Sequence, residues 1–210
     1  MTEAKRRFDS HVSEAAKCID VFDSTGFEFA LRHVWVVCVS AFDLFMSELV
    51  SEGGLRLIDR SPPVLTANLR TVQIALHGVM SVVDLSPVER LLFYKDQIYA
   101  NVQFKSFYRP DKVSEALSYI WICPAKEKWG RILARLRDTG RYDDRTEEMI
   151  RGELTLIGDR RDIIAHSVDT PPGLSTPNLV DRDDAFQVYR FIRDLAESID
   201  AETEYQINNL

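Results

Sequence analysis

The spacing of apolar side chains along this chain is helical almost throughout. From Phe27 to Val50 the positions Leu31, Trp35, Cys38, Phe42, Phe45 and Leu49 recur at alternating intervals of four and three. That is one continuous core stripe on a long helix. Residues 3–23 read as an earlier amphipathic helix, stopped by Asp23-Ser24-Thr25-Gly26. Gly53-Gly54 is expected to close the long helix, and Arg60-Ser61-Pro62-Pro63 marks a loop. A helix is predicted over 66–83, and Ser86-Pro87-Val88-Glu89 has the form of a cap opening another. Pro110-Asp111 begins a helix predicted to end near Trp121. A basic helix covers 125–138 and stops at Thr139-Gly140. The most regular segment is 145–168, and a strongly acidic helix covers 182–207 after the loop holding Pro171-Pro172-Gly173 and Pro177. No period-two alternation bounded by turns argues for a sheet. The fold class is all-α, in a single domain spanning 1–210.

Composition narrows the class. The 210 residues are 45% hydrophobic and 28% charged, enough apolar material for a core without disulfides or metal. Lys plus Arg number 26 against 33 for Asp plus Glu, a formal charge of −7. That balance argues against a general nucleic-acid coat, whose binding depends on neutralising phosphates. It leaves room for a small basic site. Cys18, Cys38 and Cys123 are far apart and never form a CxxC pair, so neither a disulfide scaffold nor a zinc ribbon is expected. His33 and Cys38 have poor spacing for zinc, and no metal or cofactor is expected. The longest apolar run, Val34–Met46, contains Ser40 and Asp43 and is too short and polar to span a bilayer. A cytoplasmic protein with no membrane partner is the expectation.

Chemistry concentrates in 145–168. Ile150, Leu154, Ile157, Ile164 and Val168 lie on one seam, and the remaining seam position is Arg161. A guanidinium on a buried stripe is costly unless it is paired or lies at an interface. His166 follows five residues later. An arginine can hold a phosphate in a bidentate fork, and a histidine titrating near neutrality can move the proton of a 2′-hydroxyl or a leaving group. On a straight helix the two lie roughly 140° and about 7.5 Å apart. They converge on one phosphate only at a frayed or bent helix end, or across a two-fold axis joining two copies. Arg6 and His11 repeat the same interval, so the interval alone is not specific.

In context, Arg161-Asp162-Ile163-Ile164-Ala165-His166 resembles the Arg-polar-x3-His signature of HEPN domains. Two further stretches are similar to the branch called RiboL-PSP-HEPN. Val34–Asp43 resembles its long early helix with a Ser-x2-acid element, here Ser40 and Asp43. Phe104–Val113 resembles the aromatic and Arg-Pro stretch before its middle helices. Together they span 27–168. The resemblance implies a dimeric helical bundle with an inserted set of middle helices, and a metal-independent endoribonuclease of a prokaryotic defence or toxin–antitoxin system. The RNA substrate would be cut to leave a 2′,3′-cyclic phosphate. Arg161 would polarise the phosphate and His166 would act as acid or base. Asp162, which stands where the family more often has Asn, would orient the imidazole. Asp43, with Ser40 beside it, would support the site, and Arg161 is the obvious cationic partner for Asp43. A homodimer through the Arg161–His166 face is implied, with an antitoxin or larger defence complex as further partners. The alternative is an inactive HEPN-like dimer that binds RNA, a nucleotide or a partner protein as a sensor. A third reading makes Arg161 purely structural.

One surface feature stands apart from the motif. Lys126, Lys128, Arg131, Arg135, Arg137 and Arg141 face only Glu127 and Asp138, a local balance of +4. Lys128, Arg131 and Arg135 are thus the candidates for an RNA-backbone surface. The opposing reading is a solvated helix face.

Overall fold

The computed structural model describes residues 1–167, 169, 170, 173 and 175–210. Among them are eight α-helices and no strand: α1 (Glu3–Thr25), α2 (Glu28–Ile58), α3 (Leu76–Ser81), α4 (Pro87–Val102), α5 (Pro110–Leu117), α6 (Lys128–Arg137), α7 (Glu147–Ser167) and α8 (Arg182–Asn208). The predicted all-α class holds. Val168, the last position of the expected seam, and Pro171-Pro172 of the expected loop lie outside the described residues.

The axis of the molecule is α2, the most apolar helix and one touched by α1, α4, α5, α7 and α8. Leu31, Trp35, Cys38, Phe42, Phe45 and Leu49 are all buried along its predicted stripe. By length and composition α2 could cross a membrane, but 67% of its most apolar 18-residue window is buried against other helices. Its hydrophobicity is spent inside the bundle. Burying six such side chains contributes on the order of 10 kcal/mol before ordering entropy is set against it.

Helix α1 folds back on α2 across a tight turn. Gly26 sits at φ +71, a left-handed position that glycine adopts without a Cβ penalty, and its N–H closes the helix on Phe22. Ala4, Phe8, Val12, Ala15 and Ile19 form the buried face. At the other end Thr2 caps α1 by accepting from the Lys5 N–H, and Glu52 of α2 accepts from the N–H groups of Glu3 and Ala4. Helix α8 lies against α1, α2 and α6. Its acidic residues are largely committed: Glu202 pairs with Arg131 and Arg135, Asp194 with Arg141 and Tyr142, Asp200 with Thr2.

Two sequence expectations need correction. Gly53-Gly54 does not close α2, which runs on to Ile58. The glycines are contact points instead. A Cβ on Gly53 would lie 3.0 Å from Ile120 Cγ2, and one on Gly54 would lie 3.0 Å from Ile98 Cδ1. Their absent side chains let α4 and the 118–121 turn approach the backbone of α2. The predicted helix over 66–83 reduces to a 3₁₀ turn at Leu69–Thr71, the six residues of α3, and a second 3₁₀ turn at Val82–Asp84. Asn101 of α4 is one reason: its side chain both accepts from the Gln73 N–H and donates to the Gln73 carbonyl, at 3.0 and 2.8 Å. That pairing satisfies the Gln73 backbone outside any helix. The predicted cap at Ser86 does form, as a reciprocal Ser86–Glu89 capping box.

Candidate functional site

Helix α7 carries the three motif residues. Ile150, Leu154 and Ile157 are buried on its seam, and Ile164 is packed against the core. Arg161, on the same stripe, is 27% exposed. Its seam position forces the aliphatic stem inward while the guanidinium reaches the edge of the bundle.

What surrounds that guanidinium is the 103–109 segment between α4 and α5. Two arginines approach the Tyr108 ring, with the guanidinium carbon of Arg161 at 5.4 Å and that of Arg109 at 5.2 Å from its centroid. The Tyr108 hydroxyl donates to Asp162, 3.1 Å from Oδ1. Arg109 donates to Asp162 Oδ2 at 2.7 Å, to the Thr155 carbonyl at 3.2 Å, and to Asp159. Arg161 donates to Asp162 Oδ1 at 3.1 Å, and its Nε is buried with no partner. Space for this stack exists because residue 158 is glycine. A Cβ there would lie 3.1 Å from Tyr108 Cδ2 and 3.3 Å from Arg109 Cζ.

The electrostatics follow from the contacts. Burial by itself would raise the Asp162 carboxyl, but hydrogen bonds from Arg161, Tyr108 and Arg109 outweigh it and hold the group below the usual carboxylate range. Asp43 goes the other way. Burial pushes its carboxyl up, against the lowering effect of the Phe107 N–H and the field of Arg161.

Asp43 reaches Arg161 only through that field. Its carboxylate instead accepts from the Phe107 N–H, fixing the loop that carries Tyr108 onto α2. Lys105 anchors the same loop on its other side, 2.9 Å from Glu115 and 3.0 Å from the Tyr119 hydroxyl. Phe104, next to Lys105, is 91% exposed. Ser40 is exposed on α2 and lines a groove between α1 and α2 of about 790 Å³, walled by Val21, Ala30, Val36, Val37 and Leu44.

His166 is exposed in the last turn of α7, and Ser167 beside it donates back to the Ile163 carbonyl. Asp162 commits both oxygens to Arg161, Tyr108 and Arg109, and no Asp162–His166 hydrogen bond is formed among the described residues. The end of the helix is fixed by Asp169, fully buried at φ +63. Its carboxylate takes Arg32 at 3.3 Å, Arg160 at 3.0 Å and the Asn178 side chain at 3.0 Å. Arg160 also lies over the Trp35 ring at 4.7 Å.

The basic helix is mostly spent internally. Lys128 is buried, its ammonium 2.9 Å from the Ser114 carbonyl and bonded to the Ser118 hydroxyl, and burial pushes its pKa down. Arg131 bonds Glu127, and Arg135 bonds Glu202 at 2.9 Å while stacking on Tyr205. The +4 balance along this segment does not translate into a free cationic strip, because α8 supplies the counter-charges.

Sequence reasoning brought out Arg161, Asp162 and Asp43, and the structure gathers these around one loop. It passed over Tyr108 as part of an aromatic stretch and Arg109 as part of an Arg-Pro pair. Among the described residues no group of three or more His, Cys, Asp or Glu side chains is placed to hold a metal ion. No protein-family model matches the chain, and no curated protein or solved structure is detectably similar to it.

Proposed function

We propose that this chain is a metal-independent endoribonuclease of the HEPN type, acting as a cytoplasmic homodimer in prokaryotic defence or as a toxin. The observation that carries the reading is Arg161. It is a half-buried guanidinium held at the edge of the bundle, with His166 exposed one and a half turns further along the same helix. A phosphate at the free edge of Arg161 receives a planar, fixed charge, which is worth most where charge builds up in the transition state.

In the reaction, the RNA 2′-hydroxyl attacks the adjacent phosphorus and gives up its proton, and the 5′-oxygen of the next nucleotide leaves with a proton. The products are a 2′,3′-cyclic phosphate and a 5′-hydroxyl. His166 supplies one of these transfers. A second copy of α7 across a two-fold axis supplies the other, which also overcomes the divergence of Arg161 and His166 on one helix.

A second reading has its own observation. Asp162 draws on the same guanidinium and leaves His166 without its support, an arrangement that suits a binding module better than a catalyst. In that case the site takes RNA, a nucleotide or a partner protein without turnover.

The test is cleavage of total RNA and tRNA by purified protein in EDTA, comparing wild type with folded Arg161→Ala and His166→Ala and probing for cyclic phosphate ends. Metal-independent cutting abolished by both substitutions supports the nuclease. Cutting that survives both places the activity elsewhere. No cutting by wild type leaves the binding module.

A further inference from the structure

We propose that Tyr108 and Arg109 are positioning residues that lock the Arg161 guanidinium in one orientation for an anionic phosphate, an inference that rests on the nuclease reading for its chemical purpose but not for its geometry. An arginine side chain has several rotatable bonds to freeze, so a free arginine at the bundle edge would spend much of its binding energy on being ordered. Here that ordering is already done. The Tyr108 ring supplies a flat wall for Arg161, and Asp162 accepts from one terminal nitrogen.

Neither of those contacts would be firm by itself. The ring is also held by Arg109, 5.2 Å from its centroid, and at its hydroxyl by Asp162. Asp162 is held in turn by Arg109, which is tied to α7 at Thr155 and Asp159. Arg109 thus closes a loop of contacts, Arg161–Tyr108–Arg109–Asp162, in which every member touches at least two others. Gly158 is the floor that admits the ring and the second guanidinium. Both terminal nitrogens of Arg109 are engaged, so its charge serves the frame, whereas among the described residues Arg161 bonds through Nη1 alone and Nη2 makes no hydrogen bond. Two guanidiniums lie within 5.4 Å of the Tyr108 ring centroid, and its hydroxyl is bonded to Asp162. The role of Tyr108 is exerted through Arg161.

The experiment has a direct readout and a kinetic one. The Arg161 Nε–Hε resonance, assigned by its loss in Arg161→Lys, should be shifted by the Tyr108 ring and slow to exchange in wild type. Tyr108→Phe keeps the ring and should leave that resonance near its wild-type position. Tyr108→Leu, and Arg109→Gln as a second variant, should move it toward the position of a free arginine, with folding confirmed by methyl resonances. In cleavage assays the two disruptive variants should lose about tenfold or more in kcat with KM little changed, since an interaction realised mainly in the transition state is weakened. Tyr108→Phe should retain most of the activity.

An Arg161 resonance unmoved in folded Tyr108→Leu and Arg109→Gln overturns the inference, whatever the kinetics. A resonance that moves as described, in a wild type that cuts no RNA, upholds the positioning and removes the nuclease reading instead.

Discussion

Arg32, in the second turn of α2, reaches 137 residues along the chain to donate to the carboxylate of Asp169, which terminates α7 in a left-handed backbone conformation. The contact joins the central helix to the end of the helix bearing His166. Arg160 completes it from the other side, so one fully buried carboxylate faces two guanidiniums and the Asn178 amide. Removing one partner from a buried charge cluster leaves the others uncompensated, which costs about 3–5 kcal/mol. Asp169→Asn tolerates the same backbone conformation, since Asn adopts it readily. It therefore isolates the charge, and urea unfolding should show a loss of that size. A change under about 1 kcal/mol would mean that the cluster adds no net stability.

Asp43 provides a test with a defined sign. Its folded-state pKa is raised, mainly by burial. Between the unfolded value of about 3.9 and the raised folded value, the native state binds more protons, so its ionisation destabilises the fold as pH rises through that window. Asp43→Asn keeps an acceptor for the Phe107 N–H. The variant should be more stable than wild type at pH 7, and its advantage should shrink as pH falls toward 4. Equal stability at both pH values would contradict the burial of that charge.

Lys128 gives the complementary case. Its ammonium is buried against a carbonyl and a hydroxyl, among the described residues no carboxylate is bonded to it, and burial lowers its pKa. Below that lowered value the cost of burying the charge is constant. Above it, and up to the unfolded value of about 10.4, the unfolded chain binds more protons and wild-type stability rises with pH. Lys128→Met lacks this rise. Denaturation of both proteins at pH 7.5 and 9.5 should show the difference moving in favour of wild type at the higher pH.

Three glycines in helices separate packing from propensity. Replacing glycine by alanine in an exposed helix interior gains about 1 kcal/mol. Gly152 has open space where its Cβ would go, and Gly152→Ala should gain roughly that amount. Gly53→Ala and Gly54→Ala each place a methyl group 3.0 Å from a side chain of a packed neighbour. Overpacking typically costs about 1–3 kcal/mol, so both should lose stability despite better local propensity. Thermal unfolding of the three variants in parallel decides the matter.

Much of the helical skeleton was legible in the linear pattern. The predicted spans of α1, α7 and α8 agree with those observed to within a few residues, because long amphipathic stripes and the punctuation at Asp23-Ser24-Thr25-Gly26 are local signals. Gly53-Gly54 was misread since a glycine pair looks the same whether it ends a helix or admits a neighbour. The 66–83 segment failed for a similar reason: the Asn101 side chain that takes the Gln73 backbone lies 28 residues away.

The candidate site was half legible. An arginine on an apolar seam is visible in sequence, and so is an aspartate inside an apolar helix. Tyr108 and Arg109 carried a faint signal, since α7 presents Asp159 and Asp162 one turn apart and Arg109 is a cation outside that helix. Reading that signal required knowing that the two segments meet.

By itself, then, the sequence determined an all-helical chain, the stripes its helices bury, and an arginine standing where a core residue was due. Those follow from periodicity and capping, which act within a few residues. Only the tertiary structure decided which charges face one another. It turned Lys128 inward, committed Arg131 and Arg135 to acidic partners, gave Asp43 to the Phe107 backbone, and seated Arg161 against Tyr108. Coulomb and hydrogen-bond energies depend on separations of a few ångströms between residues far apart in the chain, and no local pattern encodes those distances.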